Sequence, residues 1–305
     1  MHDTQAEPGE HLPAPVVAAL EGATPGARIT VNAASIPFSA LTWGDPSTRP
    51  LVLLHGVLSS AATWWRIGPA LAATDRHVVA PDMPGHGLTG NWRGHHRFRD
   101  NAVDIASFVS AAGLDRPDLQ VVGHSWGAMT AAALPAAGLA PATIILIDPP
   151  TIGYEVISLM ALDPGERTYT DLGEAIAATR AANPAWSEGD VAAKAEALTQ
   201  LDEAATRSVL LDNGDWDGGL GDLADPPAAG LDVWLIRGDP SEGGYVPDAS
   251  VPAFERRLGK DHVISLPGAP HSPHRMQPEA TLAAILRALQ DQTARRSARS
   301  ATARR

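Results

Sequence analysis

The chain has 305 residues, 44% hydrophobic and 19% charged, which is enough apolar material for one large core or a core with an inserted subdomain. A formal net charge of −12 argues against a nucleic-acid partner, and the absence of cysteine excludes disulfides and thiol chemistry. No apolar run reaches the roughly 18 residues that span a bilayer, and acidic Met1 to Glu10 lacks the basic-then-apolar pattern of a secretory leader. The expectation is a cytoplasmic protein, monomer or homodimer, with no nucleic-acid and no membrane partner.

In chain order, residues 1 to 27 are rich in Pro, Gly and Glu and read as a loose arm, with one helical turn at Pro15 to Leu20. Arg28 to Val31 and Phe38 to Trp43 alternate as two strands around Ala33-Ala34. A rhythm of continuous apolar runs follows: Leu51 to Leu54, Val78 to Ala80, Leu119 to Val122, Ile144 to Ile147, Val233 to Ile236 and Val263 to Leu266. Runs apolar on both faces suit parallel strands covered on both sides. Helical segments separate them at about Thr63 to Ala73, Phe98 to Ala112, Ala128 to Ala137, Pro252 to Leu258 and Pro278 to Gln290. The fold class is therefore α/β, a doubly wound, mostly parallel sheet.

One interval breaks the rhythm. Asp148 to Asp232 spans about 84 residues, where a crossover needs far fewer. It has its own helical stretches: Ala175 to Ala182, a run to about Leu201 opened by the capping-box pattern Ser187-Glu188-Gly189-Asp190, and Glu203 to Leu211. This predicts a helical lid or cap over residues 151–225, inserted after the sixth strand. The sheet domain would then comprise 28–150 and 226–292. The Arg-rich residues 293–305 read as a disordered tail.

The densest chemical signal is Gly123-His124-Ser125-Trp126-Gly127, between an apolar strand and a small-residue helix. Flanking glycines permit a turn too sharp for ordinary side chains, and such a turn pushes Ser125 out at the top of the sheet as a nucleophile. A serine hydroxyl then needs a base, an acid that orients the base, and N–H donors for the developing oxyanion. His271, on the loop that leaves the last strand, is the candidate base, with His274 three residues on as a weaker one. The donors are the N–H groups of Trp126 and of Val57 in His55-Gly56-Val57-Leu58; His55 would brace that loop. Three carboxylates could serve as acid: Asp239, at the end of the penultimate strand, stands first, with Asp148 and Glu242 as alternatives.

Leu54-His55-Gly56, Ala80 to Gly87 (APDMPGHG), Gly123 to Gly127 and Gly268-Ala269-Pro270-His271, four motifs in order, resemble the α/β-hydrolase superfamily over about residues 28 to 290, the lid excepted. The resemblance implies acyl transfer to water with neither metal nor organic cofactor, and a structural role for Asp82 and His86. It also implies that the serine disfavours epoxide hydrolase or haloalkane dehalogenase chemistry, because relatives of those types use an aspartate nucleophile. The family often places its acid three residues after the glycine that ends the penultimate strand; here Ser241 holds that position. His86, His95 and His96 do not form a ligand set.

The expected substrate is a small to medium apolar carboxylic ester or lactone, in a pocket built by His55, Gly56, Leu58, Trp64, Trp186 and Trp216. Trp126 would also help decide what approaches the serine. Asp212, Asp215 and Asp217 around Trp216 raise a cationic substrate as a variant. Alternatives on the same triad are C–C bond hydrolysis, cofactor-free perhydrolysis and amide cleavage. A non-catalytic ligand-binding protein of this fold is the remaining one.

Overall fold

The computed structural model describes residues 12–33, 36–91, 94, 96–162, 167–224, 227 and 231–302, the last helix in backbone only after 290. In chain order the elements are α1 (Ala14–Gly22), β1 (Ala27–Ala33), β2 (Ile36–Trp43), β3 (Arg49–Leu54), α2 (Ile67–Ala72), β4 (Arg76–Pro81), α3 (Phe98–Ala111), β5 (Gln120–His124), α4 (Trp126–Ala133) and β6 (Thr143–Ile147). Then come β7 (Thr151–Ile152), α5 (Tyr154–Met160), α6 (Leu172–Ala182), α7 (Glu188–Thr199), α8 (Glu203–Leu211) and β8 (Trp216–Asp217). The chain closes with β9 (Asp232–Arg237), α9 (Val251–Leu258), β10 (Val263–Ser265), α10 (Pro273–Met276) and α11 (Pro278–Thr302).

Eight strands form one sheet in the order β1-β2-β4-β3-β5-β6-β9-β10. β1 pairs antiparallel with β2, and β2 with β4; every later pairing is parallel. The apolar runs are continuous because each strand has two buried faces. Within β3, Val52 and Leu54 join the core against α3 and α4, while Leu51 and Leu53 join the core against α1, α2 and α11. β7 and β8 pair as a separate two-stranded ribbon.

Two terminal expectations need correction. The arm expected to be loose up to residue 27 contains α1, whose Val16 and Leu20 are buried in the same cluster as Trp43. Apolar positions four apart put both on one face, and the Trp43 indole N–H fixes the following turn by donating to Thr24 O at 3.0 Å. The tail expected to be disordered from 293 continues α11 to Thr302, as its Ala and Arg content favours. Residues 1–11, 303–305, Ala34, His95 and the 225/226 boundary lie outside the described residues.

The insertion between β6 and β9 is helical because its side chains cap it. Asp171, Ser187 and Asp202 each accept the N–H three residues on, from Glu174, Asp190 and Ala205. Asp190 also receives the Trp65 indole N–H at 3.0 Å and Arg66 at 2.6 Å, and the Asp202 N–H donates to Gly85 O at 2.9 Å. These bonds tie α7 and α8 to loops at the C-terminal end of the sheet, which is where α/β folds bind ligands. Among the described residues, no helix is long and apolar enough to cross a membrane.

Candidate active site

Close approach of strand to helix dictates the elbow. A Cβ on Gly123 would lie 2.2 Å from Gly127 O, and one on Gly127 would lie 2.4 Å from Leu54 O. Only glycine fits either position, and the turn leaves Ser125 at φ 55°, in the strained left-handed region. The serine follows β5 and immediately precedes α4, whose first N–H, that of Trp126, has no acceptor within the helix. Val57 lines the same cavity as Ser125.

His271 stands on the loop between β10 and α10. Its Nε2 accepts the Ser125 hydroxyl at 2.9 Å, and its Nδ1–H donates to Asp148 Oδ2 at 2.7 Å. Asp148 is fully buried at the end of β6, with φ 42° and its own N–H on Ile236 O at 2.8 Å. Its carboxylate also accepts N–H groups from Gly238 at 2.9 Å and Tyr245 at 2.8 Å. A buried carboxylate without such donors would be costly. Here the loop after β9 supplies them.

That loop was expected to supply the acid itself, and Asp239 is the correction. Its carboxylate turns back to accept the Ser241 N–H at 2.9 Å and hydroxyl at 2.7 Å, and reaches across to the Gly268 N–H at 2.9 Å. The Gly268 N–H, and then Ser241, hold its pKa below the usual carboxylate value. The Asp239 N–H donates to Ala269 O at 2.6 Å, so the residue staples the β9 loop to the base's loop. Glu242 is exposed further out. Asp239 is passed over because its carboxylate is taken up by Ser241 and Gly268, whereas the Asp148 carboxylate reaches His271 Nδ1 at 2.7 Å.

His274 is buried, with the Thr63 hydroxyl on its Nε2 at 3.0 Å. His124, beside the nucleophile, was not singled out in the sequence. Its Nε2–H donates to His271 O at 2.7 Å, and its ring lies 4.8 Å from that of His271 and 4.6 Å from that of His274. Burial, then the neighbouring His271, pushes His124 well below the ordinary histidine pKa; burial does the same to His274. The neutral ring therefore anchors the base's loop without adding a charge.

The cavity in front of Ser125 has a volume of about 590 Å³, within the range of small-molecule sites. Of the six expected pocket residues, Gly56, Leu58, Trp186 and Trp216 line it. His55 and Trp64 are corrections. His55 is fully buried behind its loop, donating Nδ1–H to Gly56 O at 2.8 Å and accepting the Met83 N–H on Nε2 at 2.9 Å. Trp64 is fully buried against His274, at 4.9 Å between rings. The Trp126 indole is also fully buried, 4.7 Å from the His86 ring, and lies outside the cavity lining.

The acids around Trp216 are spent on local structure. Asp215 accepts the Tyr154 N–H, Asp217 the N–H groups of Gly219 and Gly221, and Asp212 the Ser208 hydroxyl. None of the three lines the cavity. Asp82, buried, accepts N–H groups from Ala61 and Leu88 and pairs with Arg28 at 3.0 Å.

A profile of the alpha/beta hydrolase family matches residues 51–284, from β3 into α11. The chain belongs to the alpha/beta hydrolase family. The hydrolase is 33% identical over 151 residues to epoxide hydrolase B of Mycobacterium tuberculosis, covering 48% of this chain. The match spans only 39% of that relative's length. It is 29% identical over 238 residues to lipase LipV of the same organism, covering 72% of this chain and 85% of the lipase. A crystal structure of E-2-(acetamidomethylene)succinate hydrolase superimposes with a TM-score of 0.71 at 23% identity, covering 87% of this chain and 99% of that one. That likeness is one of fold.

Proposed function

We propose that this hydrolase cleaves a carboxylic ester or lactone through an acyl-enzyme on Ser125, with His271 as general base and acid and Asp148 as the orienting carboxylate. One observation carries the reading: an unbroken hydrogen-bonded relay from the serine hydroxyl through both imidazole nitrogens to a buried carboxylate, facing a cavity. The serine hydroxyl proton passes to His271 Nε2 as Oγ bonds to the substrate carbonyl carbon. The resulting oxyanion is received by the N–H groups of Val57 and Trp126. His271 returns the proton to the leaving alkoxide as the ester C–O bond breaks. Water then repeats the sequence on the acyl-enzyme, releasing acid and free serine. Asp148 holds His271 in the Nδ1–H tautomer and stabilises the imidazolium.

The helical insertion acts as the cap, bringing Trp186 and Trp216 to the cavity wall. Ester cleavage is favoured over epoxide opening because the elbow presents a serine; the curated lipase, matched over most of its length, agrees with that choice. The test is turnover of 4-nitrophenyl butyrate together with fluorophosphonate labelling. Labelling in the wild type, and loss of both in Ser125→Ala with folding retained, is the expected outcome. Turnover that survives Ser125→Ala contradicts the assignment.

A further inference from the structure

Large apolar side chains left in water are concentrated on one element of the cap. Of the eight exposed among the described residues, five fall between Tyr154 and Leu162: Tyr154, Val156, Leu159, Met160 and Leu162. Leu159 and Leu162 are 68% and 69% exposed. They belong to α5 and to the turn that continues it, where the Leu162 N–H donates to Leu159 O at 3.0 Å. Apolar residues exposed singly are ordinary, but a contiguous group marks a surface that meets something apolar.

α5 has two faces with different tasks. Ile157, fully buried, lines the cavity together with Ala161. Val156, Leu159 and Leu162, spaced three apart, form a stripe alongside. Met160 belongs to both faces, being 37% exposed and part of the cavity lining. The apolar patch is thus continuous with the wall of the cavity that holds Ser125. Ile157 and the Tyr154 N–H, on Asp215 Oδ1 at 2.7 Å, seat the helix. The outer stripe takes no part in that seat.

Size and shape decide what covers the patch. The seven residues of α5 make about 10 Å of helix, a face too short for the roughly 800 Å² per partner of a stable contact between folded proteins. That disfavours a second copy. The stripe also protrudes, so a single acyl chain laid on it would keep its outer side in water. A condensed lipid phase surrounds protruding side chains on every side. Charge then selects the kind of lipid. At −12 the chain is repelled by an anionic surface. The exposed charges on α5 and in the cavity lining are mixed, Glu155 and Glu203 with Arg167 and Arg207, which suits zwitterionic headgroups.

We propose that α5 docks on a zwitterionic lipid surface, with Val156, Leu159 and Leu162 inserted among the acyl chains beside the cavity rim at Met160. Docking is independent of the Ser125 chemistry; that the cavity draws an ester from that surface rests on the Ser125 hydrolase reading. The contact is peripheral, and it reverses the expectation of no membrane partner.

Cosedimentation with phosphatidylcholine vesicles reads docking without turnover. The wild type is expected to pellet with the vesicles. Leu159→Ser/Leu162→Ser should partition at least about tenfold less, because withdrawing even one leucine from lipid is worth about that factor. Neither residue lines the cavity, so the variant keeps wild-type turnover of soluble 4-nitrophenyl butyrate, and circular dichroism checks its fold. Where the double variant does not fold, Leu159→Gln alone serves. Adding anionic phosphatidylglycerol to the vesicles weakens binding. No partitioning of the wild type, equal partitioning of a folded variant, or binding that requires phosphatidylglycerol overturns the proposal. So does a wild-type dimer in sedimentation velocity that the variant loses, which would assign the face to a second copy. Absence of fluorophosphonate labelling in the wild type sinks the hydrolase reading alone and leaves the docking result to stand.

Discussion

The loops that leave β6 and β9 both carry an aspartate near the top of the sheet, and the two live in different solvents. Asp148 is fully buried, with two backbone N–H groups and the His271 Nδ1–H on its oxygens. Asp239 faces water and closes a local turn on Ser241 while reaching Gly268. Both carboxylates are satisfied, but only the buried one spends its charge on the base. The comparison teaches that the outer loop is the inner acid's support. Gly238 and Tyr245 provide the donors that make a buried charge tolerable, and the Tyr245 ring lies 4.3 Å from that of His271.

The largest effect that could break this contrast is that of Asp148→Asn. The amide keeps the volume but favours the wrong imidazole tautomer, so kcat should fall by about 10⁴-fold, as in other Ser–His–Asp sites. Steady-state kinetics on a nitrophenyl ester checks it, and a loss below tenfold would remove Asp148 from the relay.

A smaller effect probes the packing behind the inner loop. His55, His86, His124 and His274 are buried, and burial is the leading cause of each lowered pKa. The unfolded chain takes up protons near pH 6.5 while the folded chain resists them, so these residues contribute full stability above that pH. Stability should fall as pH drops below about 6.5, by up to about 1.4 kcal/mol per pH unit for each histidine. Urea midpoints at pH 8 and pH 5 measure this, and equal midpoints would contradict neutral buried imidazoles.

The smallest effect belongs to the outer loop. Asp239→Asn should change kcat by less than about threefold, the scale of an exposed substitution. A loss comparable to that of Asp148→Asn would erase the distinction between the loops.

Much of this was legible in the sequence, for reasons that also explain what was not. The strands read clearly because residues such as Leu51 to Leu54 are buried on both faces. The helices of the insertion announced themselves through caps such as Ser187 and Asp190. The elbow was legible because two glycines beside Ser125 answer a steric demand within five residues. The acid was not, because its choice depends on which carboxylate the folded loops turn toward His271, Asp148 with donors from Gly238 and Tyr245 rather than Asp239 closed on Ser241 and Gly268, which no local pattern encodes. Nor could Trp64 be told from Trp65, adjacent residues of which one fills the core against His274 and the other donates to Asp190.

The central claim is that Ser125 carries the acyl group. Enzyme turning over 4-nitrophenyl butyrate is quenched in acid, digested and examined by mass spectrometry. The account predicts one butyryl adduct, on the peptide holding Ser125, absent from Ser125→Ala. An adduct on another residue during turnover would contradict it.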